Sequence, residues 1–296
     1  MEHVRTVTRP NLIAVLLATL AILAFAGNSV LTRLALTQAL IGAADFTCVR
    51  LLSGAVMLGL LCRQNLRSAR PTRKDIAGVA ALFSYAIAFT IAYLEMSAAT
   101  GALVLFATVQ LTMLTVSRLR GAHMSWLEYA GLALAFAGLL WLLLPNAAAP
   151  PLKATALMVI AGIAWGFYTL DGRGAVSPLQ KTARNFVGAA VLGFIPLLFL
   201  NGPGRSAEGV ALAIASGAIT SALGYAIWYR VLPQITVAMA GASQLAVPMV
   251  AAAGGALLIG EAIPLRLLVA SVVVLAGIAL TVFGKNSAIA ARRTPK

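Results

Sequence analysis

Apolar residues follow one another in runs of about 20, the length needed to cross a hydrocarbon core about 30 Å thick, and polar residues gather in the short intervals between them. Ten such runs are predicted, at 11–35, 42–62, 74–96, 98–118, 124–144, 153–173, 178–200, 207–229, 236–259 and 264–284. In lipid each backbone N–H and C=O must be satisfied within its own segment, so runs of this kind are helices. The predicted fold class is an all-α integral membrane protein with ten transmembrane helices. The first run follows Arg5 and Arg9 as a secretory signal would, but it exceeds a signal's apolar core and nine further runs follow, so it is read as a retained helix.

The pattern repeats internally. Arg50-Leu-Leu-Ser-Gly54-Ala55-Val-Met-Leu58-Gly59 returns as Arg184-Asn-Phe-Val-Gly188-Ala189-Ala-Val-Leu192-Gly193, with five positions identical. Ala137-Gly138 likewise corresponds to Ala276-Gly277, and Gly27 to Gly166. A repeat of five spans makes the second copy enter the membrane from the opposite side, an inverted pair of the kind secondary transporters build around a midplane site. Residues 1–146 are expected to form the first five-helix repeat and 147–296 the second, joined where Pro145, Pro150 and Pro151 mark a linker.

Composition agrees with this class: 61% hydrophobic and 10% charged residues, with a mean hydropathy of +0.94, lie far from a soluble domain's balance. The net charge of +14 is distributed by side. With ten spans, sixteen Lys and Arg fall on one side, including the cluster from Arg63 to Lys74, and Lys153, Arg205 and Arg266 on the other, with Arg33 near its edge. Cytoplasmic loops collect such charge, which puts both termini in the cytoplasm of a multi-pass inner-membrane protein. The Arg63–Lys74 cluster is read as a loop touching anionic lipid, the alternative being a docking patch; no nucleic-acid partner is expected.

Ligand sites combine apolar walls with a few polar groups. Near mid-span the candidates for binding a solute are Asn28, Tyr85, Tyr93, Gln110, Trp165, Tyr168, Tyr225 and Gln244. Gln110 and Gln244 occupy corresponding stretches of helices 4 and 9, where an amide facing lipid would lack partners. Trp228 and Tyr229, like Trp126 and Trp141, suit an interfacial aromatic belt. Intramembrane charge is functional by default: Arg50 lies close in depth to Asp45 and Glu95, and Arg184 to Asp171, so two ion-paired latches are expected, one on each face. Snorkelling arginines that neutralise acidic neighbours are the plainer reading. Pro196 and Pro248 are expected to interrupt helices 7 and 9, with Pro248 a candidate hinge. The Gly162–Gly166 spacing is read as a close-packing face.

The two Arg-containing repeats, Phe25-Ala-Gly27-Asn28, Trp165-Gly166-Phe167-Tyr168 and the run from Ala238 through Pro248 to Gly260-Glu261 together resemble EamA-type members of the drug/metabolite transporter superfamily. That resemblance implies ten helices in two inverted five-helix repeats, a central cavity and alternating access. Within it the chain is similar to bacterial amino-acid exporters, aromatic ones included, through Trp165-x-x-Tyr168 and Ser84-Tyr85. It departs from them at Thr112, where a helix 4 proline is usual, and at Val109, Gln110 and Leu111, where aromatics are usual.

Other classes fit less well. There is no GxxxxGK[ST] loop for an ATP-driven pump, and His3 and His123 lie outside the spans with no central acid pair, which argues against an intramembrane enzyme. A sugar-phosphate, nucleotide-sugar or drug carrier of the same superfamily remains an alternative, Arg50 and Arg184 being its available cations. No cofactor or metal is called for. Partners are small solutes and lipid, and the duplication makes a monomer sufficient.

Overall fold

The computed structural model describes residues 12–63, 72–121, 124–144, 149–172, 175–200, 202–234 and 243–291. Among them are ten helices of at least 14 residues and no strand: α1 Leu12–Thr37, α2 Ala43–Leu61, α3 Ile76–Ala92, α4 Ala98–Leu119, α5 Trp126–Leu143, α6 Leu152–Gly172, α7 Pro178–Leu192, α8 Ala207–Val231, α9 Ala246–Ile259 and α10 Leu265–Ala291. Seven of these (α1, α2, α4, α5, α6, α8 and α10) are long and apolar enough to cross a membrane, while α3 and α9 are shorter apolar helices. Large apolar side chains face outward along them, among them Leu16, Val56, Phe136, Ile160, Ile219 and Val272. That is the surface a chain takes when its solvent is hydrocarbon rather than water.

Helix starts follow from local chemistry. Ser97 and Ser206 cap α4 and α8 by accepting the amides of Thr100 (3.2 Å) and Gly209 (2.9 Å), and Ser125 with Glu128 forms a reciprocal capping box at α5. Small residues then set which helices touch. The longest packed pair is α5 with α10, where a Cβ on Gly131 would stand 2.5 Å from the Gly277 carbonyl. A Cβ on Gly162 would meet Thr108 at 2.6 Å, and one on Gly166 would meet Thr112 at 2.8 Å, so the Gly162–Gly166 face packs on α4. In lipid it is this close backbone approach, not water exclusion, that joins helices. Elsewhere α3 and α4 hold α6, α8 and α9 hold α1, α2 lies against α7 and α8, and α7 against α3.

α8 is not α-helical throughout: Ala215–Leu223 winds as a π-helix, a form that widens the turn and recurs at functional positions. It faces α2, where a Cβ on Gly217 would collide with the Arg50 carbonyl and the Ser53 hydroxyl.

Two expectations change. The run at 178–200 does not hold one helix: α7 stops at Leu192, and Pro196 opens a 3-10 turn, Pro196–Leu198, instead of breaking a helix interior. Pro248 falls in the first turn of α9, just past Leu245, where the helical backbone that holds Ser243 and Gln244 breaks before α9 begins; residues 235–242, which complete the run at 236–259, lie outside the described residues. Trp228 belongs to no interfacial belt: it is 7% exposed, with its ring 5.9 Å from that of Phe25.

Candidate functional site

Arg50 lies seven residues into α2 and Tyr85 seven residues before the end of α3. Rising about 1.5 Å per residue, both reach the same depth, some 10 Å from one face. Asn28, nine residues before the end of α1, and Ser216, nine residues into α8, come to nearly that level from two more helices. The four side chains meet. Asn28 Nδ2 and Arg50 Nη2 both donate to Tyr85 OH, at 3.2 and 3.1 Å, and Ser216 Oγ donates to Asn28 Oδ1 at 2.7 Å. All four are buried, Arg50 to 1% exposure.

Aromatic rings wall this cluster. The Arg50 guanidinium carbon lies 5.3 Å from the Tyr85 ring and 5.0 Å from Phe89, within the range of a cation–π contact. Trp165 of α6 stands 4.7 Å from Tyr85, stacks on Tyr168 at 5.2 Å and touches Tyr225 at 5.2 Å. Phe25 and Phe186 close on Tyr225 at 5.8 and 6.1 Å. Tyr168 OH donates to Thr182, whose hydroxyl donates to Tyr229 OH, so the wall ends in a short polar chain rather than in lipid. The arrangement sets a few buried polar groups beside an apolar, aromatic wall.

Five of the predicted binding residues (Asn28, Tyr85, Trp165, Tyr168 and Tyr225) are thus brought together around Arg50. Tyr93 stands one layer back, fully buried against Phe89 at 4.7 Å and filling the space left by Gly101. Gln110 and Gln244 are not part of the cluster. Gln110 lies about 140° round α4 from Leu105, which packs on α6, one turn beyond Phe106, which packs towards α1 and α9. Gln244 is partly buried in helical backbone just before the break at Leu245, and residues 235–242 of its run lie outside the described residues. The residues missed are Ser216, Phe89, Phe25 and Phe186; the sequence hint was Ser216-Gly217 in a stretch of small residues.

Ion pairs hold both ends, with partners other than those expected. Arg50 pairs with neither Asp45, which is bound by Arg205 at 2.6 Å, nor Glu95, which is exposed after α3. Arg184 does not draw on Asp171 as proposed from depth: its Nε and Nη2 reach the Asp75 carboxylate at 2.9 and 3.3 Å. Asp171 takes Lys181 at 2.9 Å. Lys181 and Arg184 are three residues apart on one face of α7, so each acid at this end finds its own cation. Burial raises the Asp75 carboxyl, but hydrogen bonds from Arg184 and Thr72 and the Arg184 charge outweigh it and hold it below the ordinary carboxylate range. At the other end Arg33 Nε meets Glu261 at 2.8 Å. Gly260, with φ of +73°, turns the chain there so that Glu261 also accepts the Ala98 amide at 2.8 Å. Among the described residues no group of His, Cys, Asp and Glu could hold a metal ion.

The EamA-like transporter family matches residues 152–283. An uncharacterized protein of Pseudomonas aeruginosa is 48% identical over 272 residues, 92% of this chain and 95% of its own. An uncharacterized transporter of Archaeoglobus fulgidus is 30% identical over 168 residues, 54% of this chain and 59% of its own. A crystal structure superposes with a TM-score of 0.67 at 18% identity, over 93% of this chain and 98% of that one, which shows a common fold. The chain belongs to the EamA-like transporter family, the multi-pass membrane transporters of the drug/metabolite superfamily.

Proposed function

We propose that the chain is a secondary transporter that exports amino acids and related metabolites across the bacterial inner membrane by alternating access. In this reading it works as a monomer with both termini in the cytoplasm, all ten helices span, and 1–146 and 147–296 are five-helix repeats inserted in opposite directions. Reciprocal packing supports the duplication. The α3–α6 pair answers α8–α1, α4–α6 answers α9–α1, and α2–α8 answers α7–α3, while α2–α7 and α5–α10 join equivalent helices.

The observation that carries the reading is the Arg50–Tyr85–Asn28–Ser216 cluster walled by Trp165, Tyr168 and Tyr225. It offers an amphipathic solute a few orienting polar groups in an otherwise apolar setting. The Arg33–Glu261 and Arg184–Asp75 pairs at opposite ends serve as the latches that open in turn. A sugar-phosphate carrier would need a second free cation in the cluster. Arg184 is committed to Asp75 instead, which favours amino acids.

The test is counterflow into proteoliposomes preloaded with unlabelled amino acids, scored with labelled threonine, methionine and phenylalanine, with and without a pH gradient. Saturable counterflow of at least one is expected. Silence for all three from folded protein would remove amino acids as the substrate class, and flux without saturation would indicate a channel.

A further inference from the structure

Each acidic side chain among the described residues has a place away from Arg50. Asp45 pairs with Arg205, Asp75 with Arg184, Asp171 with Lys181 and Glu261 with Arg33. Glu128 closes the cap of α5, and Glu95 and Glu208 are exposed. Arg50 is therefore a cation at 1% exposure with no counterion among the described residues. Its Nη2 donates to Tyr85 OH, while Nε and Nη1 are buried with no acceptor. At least three of the guanidinium's five N–H donors thus have no acceptor. A buried charge left in that state is among the costliest arrangements a fold can hold, and it persists where something absent completes it.

We infer that Arg50 anchors the carboxylate of the transported solute, a monocarboxylate with an apolar or aromatic body. One carboxylate can bridge the Nη1–Nη2 edge, where Nη1 is open and Nη2 has made only one hydrogen bond, and Tyr85, which already accepts two hydrogen bonds, adds its own O–H. The body then lies against Trp165, 4.7 Å from Tyr85. This rests on the cluster being the solute site. A planar guanidinium fork suits a planar carboxylate. A phosphate monoester brings close to two charges to a cluster with one cation. No carboxylate is left in the cluster to receive an ammonium, so the amino group of an amino acid is carried, not read, and a desamino acid binds as its parent does.

The experiment uses the full chain in nanodiscs, with the thermal unfolding midpoint and tryptophan fluorescence as binding readouts. The probes are phenylalanine, 3-phenylpropionate, 3-phenylpropanamide, 2-phenylethylamine and phenyl phosphate. The two carboxylates are expected to bind saturably and with similar affinity, the amide and the amine at least tenfold more weakly. Arg50→Gln should lower carboxylate affinity at least tenfold. Arg50→Lys, which keeps the charge and loses the fork, should fall between and stands in if the glutamine variant does not fold. Equal binding of the amide, no carboxylate binding by folded wild-type protein, or unchanged affinity in either Arg50 variant would overturn the inference. Tighter binding of phenyl phosphate would overturn it in favour of a dianion. Counterflow measured in parallel separates the two readings: binding without counterflow defeats transport and leaves Arg50 in place, whereas counterflow shared equally by phenylalanine and 2-phenylethylamine defeats only the role of Arg50.

Discussion

Arg33 Nε lies 2.8 Å from Glu261 Oε1, and the same guanidinium donates to the carbonyls of Tyr93 and Leu94 at 2.8 and 3.0 Å. One cation therefore gathers the last turns of α1, the end of α3 and the link after α9, while the other Glu261 oxygen holds the first amide of α4. The cation sits on carbonyls at the C-terminus of α3 and the carboxylate on an amide at the N-terminus of α4, each the favoured sign for its helix end.

Glu261→Gln should destabilise the protein by about 3 kcal/mol, because it leaves a largely buried guanidinium with two carbonyls and no counterion. Arg33→Gln should cost about as much, and the double variant clearly less than the sum of the two. Thermal or denaturant unfolding in detergent measures all three, and additivity would show that the pair is not coupled.

At the opposite end, coupling in transport rate is expected for Arg184 with Asp75 and not for Arg184 with Asp171. The Asp75 carboxyl is held below its usual range, so its pairing is intact at neutral pH and is lost only as pH falls through that lowered value. Asp75→Asn should reproduce at neutral pH the behaviour of the wild type in acid. Double-variant cycles on counterflow rates, repeated across pH, decide this.

Gly217→Val should disrupt the protein, since any Cβ there strikes the Arg50 carbonyl. Gly59→Val, where nothing lies within 4 Å, should change stability by less than about 1 kcal/mol. Monodisperse elution from a sizing column and the unfolding midpoint distinguish the two outcomes.

Asn28→Ala removes both a donor to Tyr85 and the acceptor of Ser216. Leaving such groups buried and unmet costs about 1–3 kcal/mol, and the apparent KM for the solute should rise as Tyr85 loosens. Asn28→Ala with Ser216→Ala should recover part of the stability without restoring KM.

Much of this was legible from residue types along the chain. Runs of apolar residues marked where the helices lie, with α7 ending short of its run and α10 continuing past its own, and the aromatic candidates Tyr85, Trp165, Tyr168 and Tyr225 converge. What periodicity does not carry is lateral choice. Asp171 and Asp75 share an end of the bundle, and depth alone could not decide which of them Arg184 would take. Ser216 was invisible for a related reason: a serine among alanines has no pattern of its own, and its value comes from the Asn28 amide opposite. The Arg33–Glu261 pairing depends on the turn at Gly260, a backbone angle that spacing does not encode.

The close seam of α5 and α10 bears on how the protein is made. Gly131 and Gly277 meet backbone to backbone across it, yet the ribosome must finish α6 through α9 before α10 exists. One flank of α5 therefore waits in the translocon or the bilayer with no protein neighbour until the final helix emerges. Closure of the fold comes at the end of synthesis, and a premature stop before Leu265 would harm an early helix as surely as it removes the last.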